Sequence, residues 1–287
     1  MSEIYRVMDL FLRFDWAGHD FMKSALLGVL LVTPAFGLLG TMVVNHRMAF
    51  FADALGHSAL TGIAIGVLAG VGQPIWSMVL FSILLSFAIM AVKRANTAST
   101  DTIIGVFSSS AVALGIVLLS RSGGFAKYSA FLIGDLLSIS ASDLLLLAVT
   151  LAAIIALWFL IFNKLLLVSV NPSLAHSRGI RVNLYDTLFT VVTAVVVTVS
   201  IQWVGVLIIS SLLVLPAAAA RNIARGVRQY HFYSVLIALV SGIAGLILSY
   251  YWNTASGATI VLISALAFAG TFMFRRARHG TAGRKGR

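Results

Sequence analysis

The chain has no cysteine and very little charge. Of its 287 residues, 10% are Asp, Glu, Lys or Arg, and only nine are acids. The missing thiols exclude disulfides and thiolate metal sites, and say little about compartment. A soluble domain carries about 25% charged residues. With 60% apolar residues and a mean hydropathy of +1.02, this chain reads as an all-α, polytopic membrane protein. Certain motifs are also missing. Without a G-x-x-x-x-G-K-[ST] phosphate loop the chain does not hydrolyse ATP by itself. Without H-E-x-x-H, or G-x-S-x-G with triad partners, an intramembrane hydrolase has little support. Glu3, Asp9, Asp15 and Asp20 precede the first apolar run, the wrong flank for a cleaved signal peptide.

Three regions are expected. Residues 1–20 alternate aromatic and charged side chains and suit an interfacial amphipathic helix. Residues 21–275 hold the membrane domain, and 276–287 form a basic tail. Nine stretches have the 17–25 residues that about 30 Å of hydrocarbon requires: 22–44, 50–70, 75–92, 102–120, 143–162, 185–201, 204–220, 233–251 and 258–274. The loops at 45–49, 93–100, 163–184 and 221–232, with everything from residue 275 onward, hold fifteen of the twenty Lys and Arg residues. The positive-inside rule makes that set cytoplasmic, with the N-terminus outside and the C-terminus inside. The net charge of +11 then reports cytoplasmic loops and a tail facing anionic lipid, rather than nucleic acid.

The stretch 50–70 carries an acid and an imidazole within an apolar run. Asp53 and His57 are four residues apart and share one helix face, which Thr61 continues. Ser58, Gly62, Gly66 and Gly70 form a separate small-residue stripe that admits a close neighbouring helix. With about 1.5 Å rise per residue from a start near Met48, Asp53 lies roughly 8 Å and His57 roughly 14 Å into the membrane. Both are too deep to snorkel. A carboxylate there costs roughly 2.5–3.5 kcal/mol on insertion scales and normally faces a partner or a water-filled path. One reading is structural: Asp53 caps a helix starting at Ala54, and a neutral His57 bonds to a neighbouring helix. The sharper reading is a way-station for a divalent metal. One carboxylate and one imidazole supply half of a tetrahedral set, which a symmetric second copy completes.

No other His or acid offers a comparable pair. His46, His176, His231 and His279 fall at cytoplasmic edges, in loops or in the tail. Asp101 and Asp186 fit helix starts, where capping and the helix dipole explain them. Asp135, after Gly134 on a short apolar segment read as re-entrant or outer-surface, either attracts cations at the outer mouth or caps a helix. Pro216 is expected to kink the seventh span beside small residues suited to close packing. In the loop Asn171-Pro172-Ser173-Leu174-Ala175-His176-Ser177-Arg178-Gly179, an N-cap, a first-position proline and a terminal glycine predict a helix of one to two turns.

Four landmarks in order resemble the permease subunits of ATP-binding-cassette importers for zinc, manganese and iron. They are His46-Arg47-Met-Ala-Phe-Phe-Ala-Asp53-Ala-Leu-Gly-His57-Ser-Ala-Leu-Thr-Gly62, Phe131-Leu-Ile-Gly134-Asp135-Leu-Leu, the Asn171–Ala175 loop, and Val204-Gly205 through Pro216 to Arg221. The resemblance covers about residues 20–275. It implies a homodimer in the cell (inner) membrane, two cytoplasmic ATPase subunits and an extracytoplasmic metal-binding protein. No permanently bound cofactor is implied, because the divalent metal is the transported substrate. It places Asp53 and His57 on the pathway and makes the 172–178 helix the element that couples to the ATPase. Many relatives carry an acid where this chain has Asn171. Imidazole with carboxylate accepts zinc, manganese or iron; zinc is favoured, then manganese, then iron, with no single residue deciding the order. An ion-coupled secondary transporter using Asp53 and His57 as a proton relay, and a structural membrane scaffold, are the rival readings.

Overall fold

The computed structural model describes residues 5, 6, 8, 14–95, 98–122 and 136–284. Among these there are ten α-helices and no strand: α1 (Asp20–Asn45), α2 (Phe51–Leu68), α3 (Pro74–Arg94), α4 (Thr100–Ser122), α5 (Ala141–Val170), α6 (Pro172–Ser177), α7 (Val182–Val204), α8 (Val206–Ile223), α9 (Val227–Trp252) and α10 (Ser256–Arg284). Short 3₁₀ turns occur at Asp15–Gly18 and Leu136–Ser138. Eight of the ten are long and apolar enough to cross a membrane, and Ile208–Ile223 is a shorter apolar helix. Each expected span therefore falls on its own helix. The last one does not stop at 274, since α10 runs on to Arg284. The expected amphipathic helix at 1–20 lies largely outside the described residues.

Helix ends follow local chemistry. At the start of α5, Ser140 and Asp143 cap one another. The Asp143 N–H donates to Ser140 Oγ at 3.3 Å, and the Ser140 N–H donates to Asp143 Oδ2 at 3.0 Å. α3 opens on Pro74, whose missing N–H is not needed in the first turn. Asn253 closes α9 in the left-handed conformation at φ 51.

The chain divides into two compact units. One comprises Met1–Val44, Leu136–Ala153 and Ser211–Arg287. In it, α1 packs so closely that side chains are excluded at two of its glycines. A Cβ on Gly37 would lie 2.8 Å from Val235 Cα, and one on Gly40 would overlap the Leu213 carbonyl. Ser234 Oγ donates to the Gly37 carbonyl at 2.7 Å, which supplies directional bonding where the apolar solvent gives little driving force. The other unit comprises Asn45–Asp135 and Ile154–Ser210. Its centre is α2, which packs against α3, α4 and α7, while α3 also packs against α7. This unit holds the Asp53–His57 pair.

Candidate functional site

Two features set the start of α2. Arg47 adopts the left-handed conformation (φ 56) in the turn after α1, and Phe50 occupies the N-cap without a side-chain hydrogen bond. The Ala54 N–H donates to the Phe50 carbonyl at 2.9 Å, so Asp53 is the third helical residue and not the cap of a helix starting at Ala54. This start lies three residues beyond Met48. Asp53 and His57 therefore stand roughly 3 and 9 Å along the helix axis, shallower than the sequence spacing suggested. A carboxylate in the first turn also meets the positive end of the helix dipole.

The acid and the imidazole do converge. Asp53 Oδ1 lies 3.5 Å from His57 Nε2, and Ser210 Oγ donates to the same oxygen at 3.5 Å. Both side chains of the pair are 49% exposed, although most of α2 is buried. Three faces of the helix are packed, and the fourth presents one carboxylate and one imidazole outward. Among the described residues no group of three or more His, Cys, Asp or Glu is placed to hold a metal ion.

Thr61 does not continue this face. Eight residues at 100° each rotate it about 80° from Asp53, enough to turn it inward. It is fully buried, and its Oγ1 donates to the Ala111 carbonyl of α4. Gly115 answers it, since a Cβ there would lie 2.6 Å from Thr61 Oγ1. The small-residue stripe packs on α3: a Cβ on Gly62 would come within 2.7 Å of Met78 Cα, and one on Gly66 would overlap Ser77 Oγ. Gly70 is not part of this contact. It lies past the end of α2 with φ +71 and open space around it, where its freedom to adopt positive φ shapes the turn. Pro216 lies within α8, which continues on both sides of it. Asp135 and its Phe131–Gly134 approach lie outside the described residues.

The short helix in the 171–179 loop forms as its residue pattern predicts. The Leu174 N–H donates to Asn171 Oδ1 at 2.9 Å, and Pro172 fills the first position of α6. At the other end the Ile180 N–H reaches the Ala175 carbonyl at 3.0 Å, the Gly179 N–H reaches that of His176 at 2.9 Å, and Gly179 has φ +75. That is a Schellman closure, which requires a residue tolerant of positive φ. Ala175 is buried and Leu174 is exposed, so α6 is anchored on one side and presents an apolar side chain on the other. Lys164, Arg178 and Arg181 line an adjoining cavity of 430 Å³.

A second ionic group went unread in the sequence. Asp186 is not at a helix start: α7 begins at Val182 and has no acid in its first turn. Its carboxylate accepts from Lys93 Nζ at 2.9 Å and lies 3.5 Å from His46 Nε2, with the His46 ring stacked on Phe189 at 5.0 Å. The side chains of His46 and Asp186 are only 5% and 15% exposed. This cluster ties the α1–α2 turn to α3 and α7. Its members are 47, 93 and 140 residues apart, so no local pattern could announce it. Likewise His231 is not in a loop but in α9, with Nδ1 2.7 Å from Thr41 Oγ1.

Residues 18–275 match the model of the ABC 3 transport family. The chain belongs to that family. It is 32% identical over 260 residues to the high-affinity zinc uptake system membrane protein ZnuB of Haemophilus influenzae, covering 90% of this chain and 99% of that one. It is 30% identical over 256 residues to the manganese import system permease protein ScaB of Streptococcus gordonii, covering 88% and 92%. Among solved structures, PsaBC from Streptococcus pneumoniae in complex with Fab matches with a TM-score of 0.77 at 28% identity, covering 95% of each chain.

Proposed function

We propose that this chain is the membrane-spanning permease subunit of an ATP-binding-cassette importer for a divalent transition metal. The observation that carries the reading is the half-exposed Asp53–His57 pair on a largely buried helix. A carboxylate facing lipid is costly, by roughly 2.5–3.5 kcal/mol at a span's centre and less near its end, so a half-exposed acid calls for water, a cation or a second protein surface. A homodimer would bring two such pairs together and complete a four-ligand set of oxygen and nitrogen donors. The pair would hold the ion only briefly, because weak coordination releases what a closed cage would trap.

Relatives named for zinc uptake and for manganese import support metal as the substrate, at identities of 32% and 30% that do not separate the two. We favour zinc, then manganese, then iron. ATP would be hydrolysed by two cytoplasmic ATPase subunits, since the sequence lacks a phosphate loop. An extracytoplasmic binding protein would deliver the ion. Residues 171–179, with the capped α6 helix and exposed Leu174, would dock on the ATPase and transmit its closure. The charge pattern supports an inner-membrane protein with the N-terminus outside and the C-terminal tail in the cytoplasm. Asp135 remains the candidate for attracting cations at the outer mouth.

The test is uptake of radioactive zinc and manganese, in parallel, into vesicles holding the chain with its co-purifying partners. Asp53→Ala and His57→Ala should each abolish ATP-dependent uptake while leaving ATPase association intact. Normal uptake by both variants would assign the pair a structural role. Uptake that persists without any associated ATPase would favour the proton-relay transporter instead.

A further inference from the structure

At the end of α8 the chain turns into α9, and beside that turn α10 passes Arg275 and Arg278. Arg221, Asn222 and Arg225 from the turn, with Phe274, Arg275 and Arg278 from α10, line a groove of 570 Å³. Four guanidinium groups thus converge on one concave site. The arrangement is partly fixed: Arg275 donates from Nη1 to Asn222 Oδ1 at 3.3 Å, and Asn222 Nδ2 donates to Thr271 Oγ1 at 3.4 Å. Not one Asp or Glu occurs between 187 and 287, so this third of the chain supplies cations without supplying carboxylates to neutralise them. The groove also sits at a boundary. The apolar span of α10 ends at Arg278, and Phe272, Met273 and Phe274 on its last turns are 50%, 70% and 61% exposed. An apolar flank runs directly into a ring of arginines.

We propose that this groove binds the phosphate headgroup of an anionic glycerophospholipid, with an acyl chain lying along the exposed flank of α10. Guanidinium forks match phosphate oxygens in a bidentate manner, and basic pockets at the ends of membrane helices suit such headgroups. The adjoining apolar surface favours a lipid over free phosphate, which has no use for it. It also favours a lipid over an acidic face of a protein partner, which would have to cover exposed Phe and Met at membrane depth. The inference concerns lipid alone and holds whether or not the chain carries metal.

The experiment is native mass spectrometry of the detergent-purified full-length chain, titrated with phosphatidylglycerol or with phosphatidylcholine of the same acyl length. Wild type should retain phosphatidylglycerol selectively. Since each arginine near the headgroup contributes about fivefold, Arg221→Gln with Arg275→Gln should weaken it roughly 30-fold. Arg228→Gln with Arg276→Gln, outside the groove, should leave it in place. A photoactivatable phosphatidylglycerol on the wild-type chain should label 221–225 and 274–278, a readout that needs no variant to fold. Equal retention of both lipids, labelling elsewhere, or full displacement by inorganic phosphate would each overturn the proposal. So would groove variants that shed the co-purifying ATPase while binding lipid normally, because the groove would then be a protein dock.

Discussion

Adding one methyl group at Gly62 tests the packing that frames the site. In the α2–α3 contact a Cβ at this position would lie 2.7 Å from Met78 Cα, 3.2 Å from Met78 N and 3.3 Å from the Ser77 carbonyl. All three are backbone atoms, so no rotamer change relieves the clash and the helices must separate. Carbon atoms rest at about 3.5–4.0 Å, so a gap of nearly 1 Å must open. Overpacking of this kind costs about 1–3 kcal/mol, against a gain of about 1 kcal/mol in helix propensity for Gly→Ala. The net expectation for Gly62→Ala is a loss of up to about 2 kcal/mol, or up to roughly 4 °C in Tm at about 2 °C per kcal/mol. Gly105 provides the control. It lies in α4 with nothing within 4 Å, so Gly105→Ala keeps the propensity gain and should raise Tm by roughly 1–2 °C. Thermal unfolding of both variants in detergent, followed by circular dichroism, compares the two signs directly. A Gly62→Ala chain stabilised as much as Gly105→Ala would refute the close approach of α2 to α3.

Asn171→Ala should loosen α6 by about 1 kcal/mol, visible as faster hydrogen exchange at the Leu174 amide, whereas Asn171→Asp should preserve the cap. Asp186→Ala leaves the Lys93 ammonium in a site only 23% exposed; a loss of about 2 kcal/mol is expected, below that of a fully buried pair. Adding Lys93→Met should recover part of that loss in the same unfolding assay. Thr61→Val removes the hydroxyl that bonds the Ala111 carbonyl and should cost about 1 kcal/mol without changing which metal is taken up, because Thr61 lies off the exposed face.

The spans were legible because apolar length is a property of contiguous residues, and the bilayer demands it of each helix separately. The α6 helix was legible for a similar reason. Asn171, Pro172 and Gly179 fix its ends through bonds that reach no further than six residues. Helix starts were harder to read where no side chain caps them. Phe50 gives no cap signal, and the start of α2 was therefore misplaced by three residues. Asp186 failed in the opposite way. Its place at the head of the 185–201 stretch suggests a helix start, yet its partners Lys93 and His46 come from other helices or turns far away in the chain.

The site itself shows where helical periodicity stops being informative. The i, i+4 spacing correctly pairs Asp53 with His57, because one step of four drifts only about 40°. A second step doubles the drift, and Thr61 passes from the open face into the α4 contact. Periodicity alone cannot say which faces of α2 are covered, since that depends on where α3, α4 and α7 pack. The structure supplies that missing link. Ser58, Thr61, Gly62 and Gly66 are all buried, so the exposure of Asp53 and His57 is specific to their face and not a general property of the helix. A capping acid would have its oxygens directed at the first-turn amides. Asp53 instead directs Oδ1 toward an imidazole one turn on and a serine hydroxyl from α8. The proposed transit role draws on that open carboxylate and imidazole, and metal uptake by Asp53→Ala and His57→Ala decides it.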